Sequence, residues 1–108
     1  MKKDAETRKV RNIRAGSPKY HLRLFVAGSE PNSTAARASL DRICDVYLEH
    51  NCAIEVIDVL EDFRPALEER VLITPALVIT KPGPRTVVFG NLTDTGKVLA
   101  ALHVASKP

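Results

Sequence analysis

Tyr20, Leu22, Leu24 and Val26 alternate with His21, Arg23, Phe25 and Ala27. Successive side chains of a strand point to opposite faces, so this run predicts a strand with one wholly apolar face. Phe25 and Ala27 make the second face partly apolar as well, which places the strand in the middle of a sheet. The period then changes. Ala36, Leu40, Ile43, Cys44, Tyr47 and Leu48 recur at helical spacing, with Ser29, Asn32 or Ser33 able to cap the helix and Pro31 tolerated in its first turn. Glu49, His50 and Asn51 end it, and residues 53–60 return to a β-branched run in which Glu55 and Asp58 interrupt Ile54, Val56, Ile57 and Val59. Strand, helix and strand in this order predict a parallel βαβ unit.

The second half has shorter periods. Phe63, Pro65, Ala66 and Leu67, followed by Glu68, Glu69 and Arg70, suit a short helix beginning near Pro65. Residues 76–80 and 86–89 are β-rich and are joined by Lys81-Pro82-Gly83-Pro84-Arg85, a turn composition that predicts a hairpin. After Gly90-Asn91-Leu92, Thr93 or Asp94 can cap a closing helix over residues 95–105, with Val98, Leu99, Leu102 and Ala105 as its buried stripe. The expected order is βαβαββα.

Composition changes this picture mainly at the N-terminus. The 108 residues, 44% of them hydrophobic, suffice for one small core. The net charge of +3 is unevenly spread: residues 1–19 hold seven Lys/Arg against two Asp/Glu, and residues 20–108 hold nine against eleven. Residues 1–19, ending in Gly16-Ser17-Pro18, therefore read as a basic, disordered or partly helical extension ahead of a domain at 20–108. The basic character is not that of the body, so no nucleic-acid partner is expected. No run approaches the roughly 20 apolar residues of a membrane span, and the segment lacks the apolar core of a secretion signal. A cytoplasmic protein with no membrane partner is the expectation. Cys44 and Cys52 lack the tight spacing of a redox pair, and Cys44 reads as a buried small apolar residue. With His50 they fall short of the four ligands of a structural zinc site, so no metal or cofactor is expected.

The layout is that of a thioredoxin-like fold without its chemistry. Where a dithiol enzyme needs a low-pKa thiolate at a helix start, this chain has Gly28-Ser29-Glu30-Pro31-Asn32-Ser33. Ile73-Thr74-Pro75 stands where such folds place the proline facing the active site. Resemblance to that class implies an α/β fold, a mixed four-stranded sheet of order 2-1-3-4 with helices on both faces. In that order the 53–60 strand lies at an edge, its backbone groups open to a partner strand. No enzymatic activity and no catalytic residue is expected.

A closer resemblance follows from Leu24-Phe25-Val26-Ala27-Gly28, Pro31-Asn32-Ser33, Val56-Ile57-Asp58-Val59-Leu60, Thr74-Pro75-Ala76-Leu77 and Gly90-Asn91-Leu92-Thr93. These stretches, in order across residues 20–105, resemble the KaiB family of circadian-clock adaptors. The resemblance implies a non-catalytic adaptor that binds a KaiC-type RecA-like ATPase hexamer and can exclude or recruit a sensor histidine kinase. It also implies an oligomeric ground state, dimer or tetramer, whose C-terminal half switches to a monomeric thioredoxin-like fold. Partner-binding positions on this basis are Ala53, Glu55 and Arg70, the last two having a bland alternative as solvated surface charges. The positions expected to govern switching or a cis peptide bond are Pro75, Pro82, Pro84, Gly90 and Asn91, with Thr74-Pro75 cis in the thioredoxin-like state. Where clock members typically carry Gly-Asp, three successive prolines or a strand lysine, this chain has Gly90-Asn91, Pro82-Gly83-Pro84 and Glu55. These departures point to a KaiB-like paralogue of a two-gene or non-clock system with a stress or signalling role, rather than to a standard clock protein. The alternative is a redox-inactive thioredoxin-like interaction module of another pathway.

Overall fold

A single five-stranded sheet with helices on both faces organises the chain in the computed structural model, which describes residues 8–11, 18–49 and 51–103. In chain order the elements are β1 (Arg8–Arg11), β2 (Tyr20–Val26), α1 (Pro31–Tyr47), β3 (Cys52–Asp58), α2 (Arg64–Glu69), β4 (Ala76–Lys81), β5 (Thr86–Phe89) and α3 (Thr95–Ala101). The sheet order is β1-β3-β2-β4-β5. Its last four strands are the expected mixed order, with β2 parallel to β3 and antiparallel to β4, and β4 antiparallel to β5.

The two faces of β2 divide the core as its alternation predicts. Leu22, Leu24 and Val26 pack with Ala36, Leu40, Ile43 and Cys44 of α1 and with Val98, Leu99 and Leu102 around α3. Phe25, on the opposite face, packs with Ile57, Ala76, Val78, Ala66 of α2 and Val71. Full burial of such side chains contributes about 1.5–3 kcal/mol each, so this central strand carries much of the hydrophobic stabilisation. Tyr47 departs from the expected helical stripe: it is 41% exposed, while Leu48 after it is buried.

Two expectations are corrected here. Residues 8–11, expected to belong to a disordered or partly helical extension, form a strand antiparallel to β3, with Arg8 opposite Ile57 and Arg11 opposite Ile54. In consequence β3 is not an edge: β1 covers one side of it and β2 the other. Arg-Lys-Val-Arg has no apolar alternation, and strand pairing through backbone N–H and C=O groups needs none. The rest of the N-terminal expectation, at residues 1–7 and 12–17, lies outside the described residues, as do His50 and Ala105. The expected strand 53–60 and closing helix 95–105 are found as Cys52–Asp58 and Thr95–Ala101.

Candidate partner-binding face

The loops at the C-terminal ends of β2 and β3 surround the start of α1, where a redox relative of this fold would act. Gly28 turns with φ +58°, and a Cβ there would stand 3.1 Å from Leu60 Cδ1. Asp58 Oδ1 accepts the N–H groups of Gly28 and Leu60, each at 3.0 Å, tying the ends of β2 and β3 together. None of the sequence's cap candidates closes α1; Glu30 does, accepting from Asn32 N–H at 3.1 Å and Ser33 N–H at 2.9 Å. Hydrogen bonding from the Asn32 N–H holds the Glu30 carboxyl below its ordinary pKa, outweighing slight desolvation, with Ser33 adding to the effect. Ser33 is fully buried and its Oγ accepts the Ala27 N–H at 3.0 Å. Oxygen side chains thus satisfy the helix start, and the residues there contain no thiol.

Both cysteines lie at the other end of α1. Cys44, eleven residues beyond Ser33, is about 16 Å further along the helix. It forms a disulfide with Cys52, the first residue of β3, across a Cα separation of 6.7 Å. Both residues are buried in the core, so the separate thiols expected from the sequence are one crosslink between helix and strand.

The candidate switch residues fall in two places. Thr74-Pro75 is cis, as expected, and the Pro75 carbonyl accepts the Gly90 N–H at 3.0 Å. Gly90 has φ +107° and leads into Asn91, whose Oδ1 accepts from Thr93 N–H and Oγ1 at 3.1 and 2.8 Å. Pro75, Gly90 and Asn91 therefore meet at one end of the β4–β5 hairpin. Pro82 and Pro84 occupy the turn at its other end, where Lys81-Pro82 is also cis. Gly83 in that turn leaves His103 Cδ2 3.8 Å from the place a Cβ would take, so the turn abuts the end of α3.

Of the candidate contact residues, Glu55 is no solvated charge. It lies opposite Arg23 in the parallel pairing and accepts from Arg23 Nε at 3.0 Å, and its side chain is 15% exposed. Arg23 reaches on to Glu69 of α2 at 2.8 Å and lies 5.5 Å from the Phe25 ring centroid. Arg85, just before β5, donates to Glu69 Oε1 at 2.9 Å and to the Glu69 carbonyl. Burial alone would raise the Glu69 pKa; hydrogen bonds and charge from Arg85 and Arg23 outweigh it and hold the carboxyl below its ordinary value. This ladder of four charges clamps α2 onto the sheet. Arg70 is exposed and stands at φ +60°, with its N–H bonded to the Leu67 carbonyl at 3.1 Å and Val71 N–H to the Ala66 carbonyl at 2.8 Å. That is the paired closure of a Schellman motif, with arginine in the left-handed position glycine usually takes. Ala53 is half-buried opposite His21, one residue beyond the stretch of β3 that β1 covers.

A feature absent from the sequence reading is an apolar surface flanking α2. Leu60, Phe63, Leu67, Leu72 and Ile73 are 57–85% exposed, five of the eight exposed large apolar side chains among the described residues. Phe63 and Leu67, four apart, share a helix face while Ala66 turns inward. The burial of Ala66 rather than Phe63 or Leu67 was the only available signal, and composition could not supply it. Five such side chains within fourteen residues put exposed apolar surface in one stretch of the chain.

Comparison with known proteins agrees with this architecture. The KaiB domain family matches residues 23–104. The circadian clock oscillator protein KaiB of Synechococcus elongatus is 41% identical over 85 residues, covering 79% of this chain and 83% of the relative. The circadian clock protein KaiB3 of a Synechocystis strain is 37% identical over 83 residues, covering 77% and 81%. Among solved structures, the N-terminal domain of Synechococcus elongatus SasA superposes with a TM-score of 0.65 at 27% identity, covering 88% of this chain and 93% of that one. Mitochondrial thioredoxin 3 of Saccharomyces cerevisiae superposes equally well, TM-score 0.65, at 18% identity over 81% and 80% of the two chains, which shows the shared fold alone.

Proposed function

This chain belongs to the KaiB family, and from that premise we propose that it is a non-catalytic adaptor that docks on a KaiC-type RecA-like ATPase hexamer in clock or stress signalling. The observation that carries this reading is the set of exposed apolar side chains within residues 60–73, Leu60 among them reaching the Gly28 turn before an α1 start capped by Glu30. Such a face supports protein docking and offers no thiol at the helix start. Leu72 and Ile73, at 85% and 63% exposure, can be changed without opening the core. Titration of the purified chain onto the KaiC-type hexamer of its own organism should show saturable binding, weakened at least tenfold in a Leu72→Glu/Ile73→Glu variant whose melting is unchanged. No binding by the wild type, or equal binding by the variant, would refute it.

Arg70 is the cleaner of the two charge probes. Arg70→Glu changes an exposed rim charge and should cost about 1 kcal/mol of affinity, more at low salt. Glu55→Lys would set a cation beside Arg23 and disturb folding as well as docking. The likeness to the SasA N-terminal domain favours a second element of the reading, that the chain and a sensor histidine kinase domain of this fold compete for one ATPase surface. The family relationship also supports switching from a dimeric or tetrameric ground state, with residues 61–103 rearranging and residues 20–60 constant. Amide chemical shifts recorded over a dilution series would display two sets of peaks confined to the later half.

A further inference from the structure

The outer side of β3 is where a strand added to the four-stranded core would pair, and the chain fills it with its own residues 8–11. We propose that β1 is an autoinhibitory strap: a displaceable intramolecular strand that occupies the β3 edge and closes it to extended segments of other proteins. The proposal rests on the sheet alone and not on the identity of any ATPase.

Three observations carry it. The family match, residues 23–104, leaves out residues 8–11, and the other four strands of the sheet pair with one another without β1. The pairing is in register over four residues, Arg8 with Ile57, Lys9 with Val56, Val10 with Glu55 and Arg11 with Ile54, which matches a strand docked by backbone groups. Charge is complementary overall as well: residues 1–19 carry seven cationic side chains against two acidic ones, and residues 20–108 nine against eleven. With one apolar residue in Arg-Lys-Val-Arg, the docking energy comes from ladder hydrogen bonds and long-range charge. A strand held this way is salt-sensitive and exchangeable.

Connectivity favours occupation in cis. The end of β1 lies opposite Ile54 and the start of β2 opposite Cys52, so both are at the same end of the sheet. They are two strand spacings apart, about 10 Å, whereas the eight linking residues 12–19 reach up to about 28 Å. A short tether of this kind gives an effective concentration on the order of millimolar, which an external strand must overcome.

The test uses the full chain. Successive amides of a strand alternate sides, so either Lys9→Pro or Val10→Pro removes a ladder donor facing β3. In residue-resolved hydrogen exchange, the β3 amides at 54–57 that point away from β2 should be protected in the wild type at every protein concentration. They should exchange at least tenfold faster in one of the two proline variants or in 0.5 M salt, with β2 and β4 amides unchanged. A fluorescent peptide of residues 5–14 should bind that proline variant and not the wild type. Unprotected outward β3 amides in the wild type, no acceleration in either variant, or peptide binding equally to both forms would overturn the strap. Protection lost on dilution would assign the strand to a second copy and overturn occupation in cis.

Discussion

Replacing Arg23 by Met removes the central cation of the ladder that joins β2, β3, α2 and the entry to β5, and with it the guanidinium over the Phe25 ring, while keeping an unbranched apolar side chain at the position. Arg23 makes two charge-assisted hydrogen bonds, to Glu55 at 3.0 Å and Glu69 at 2.8 Å, with side chains 15–23% exposed. Bonds to charged groups are worth about 1.5–3 kcal/mol each when sheltered, and partial solvation reduces this toward about 1 kcal/mol. The expected loss is therefore about 2 kcal/mol, or about 8–16 °C in Tm for a domain of this size. Urea denaturation at pH 7 should show a lower midpoint with an unchanged m-value. The acid limb adds a sign. Glu69 has a folded pKa below its unfolded value, so its contribution is full above the ordinary carboxylate value of about 4.3 and disappears as pH falls through the lower folded value. The gap between wild type and Arg23→Met should accordingly narrow below about pH 4. A loss under about 0.5 kcal/mol at pH 7, or a gap constant down to pH 3, would refute the clamp.

Further outcomes follow from the same geometry. The Cys44–Cys52 crosslink closes a loop of eight residue steps, so Cys44→Ala/Cys52→Ala, or reduction, should lower stability by about 2.5 kcal/mol in chemical denaturation. Arg70→Gly should raise it by about 0.5–1 kcal/mol, since glycine takes the left-handed closing position of α2 without strain. Gly90→Ala should destabilise by about 1–2 kcal/mol through φ +107° alone, because nothing lies within 4 Å of the added Cβ. Glu30 stabilises the start of α1 above its unfolded pKa and ceases to as pH falls through its lower folded value; Glu30→Gln should flatten the stability profile on the acid side of the ordinary carboxylate range. A turbidity assay of insulin reduction should show no cysteine-dependent activity, because both sulfurs are buried in the crosslink at the far end of α1.

Side-chain periodicity along the chain was enough to locate β2, α1, β3, α2, the β4–β5 hairpin and α3, because each must turn an apolar face to a common core and that requirement is written at a spacing of two or about 3.6. The missing thiol at residues 28–33 was equally legible, since a reaction needs a particular atom at a particular place. What only the tertiary structure decided were relations between distant segments. Arg-Lys-Val-Arg pairs with β3 through backbone groups common to every sequence. Cys44 and Cys52, unremarkable by spacing, meet because a helix and the strand returning beside it bring their Cα atoms to 6.7 Å. Glu55 became half of an ion pair because parallel register sets it opposite Arg23, and Glu69 joined it because Pro65 and the left-handed Arg70 fix how α2 lies across the sheet. The outward face of Phe63 and Leu67 is the clearest case: hydrophobic residues at helical spacing announce a buried stripe, and only packing shows that Ala66 is what the core takes from this turn.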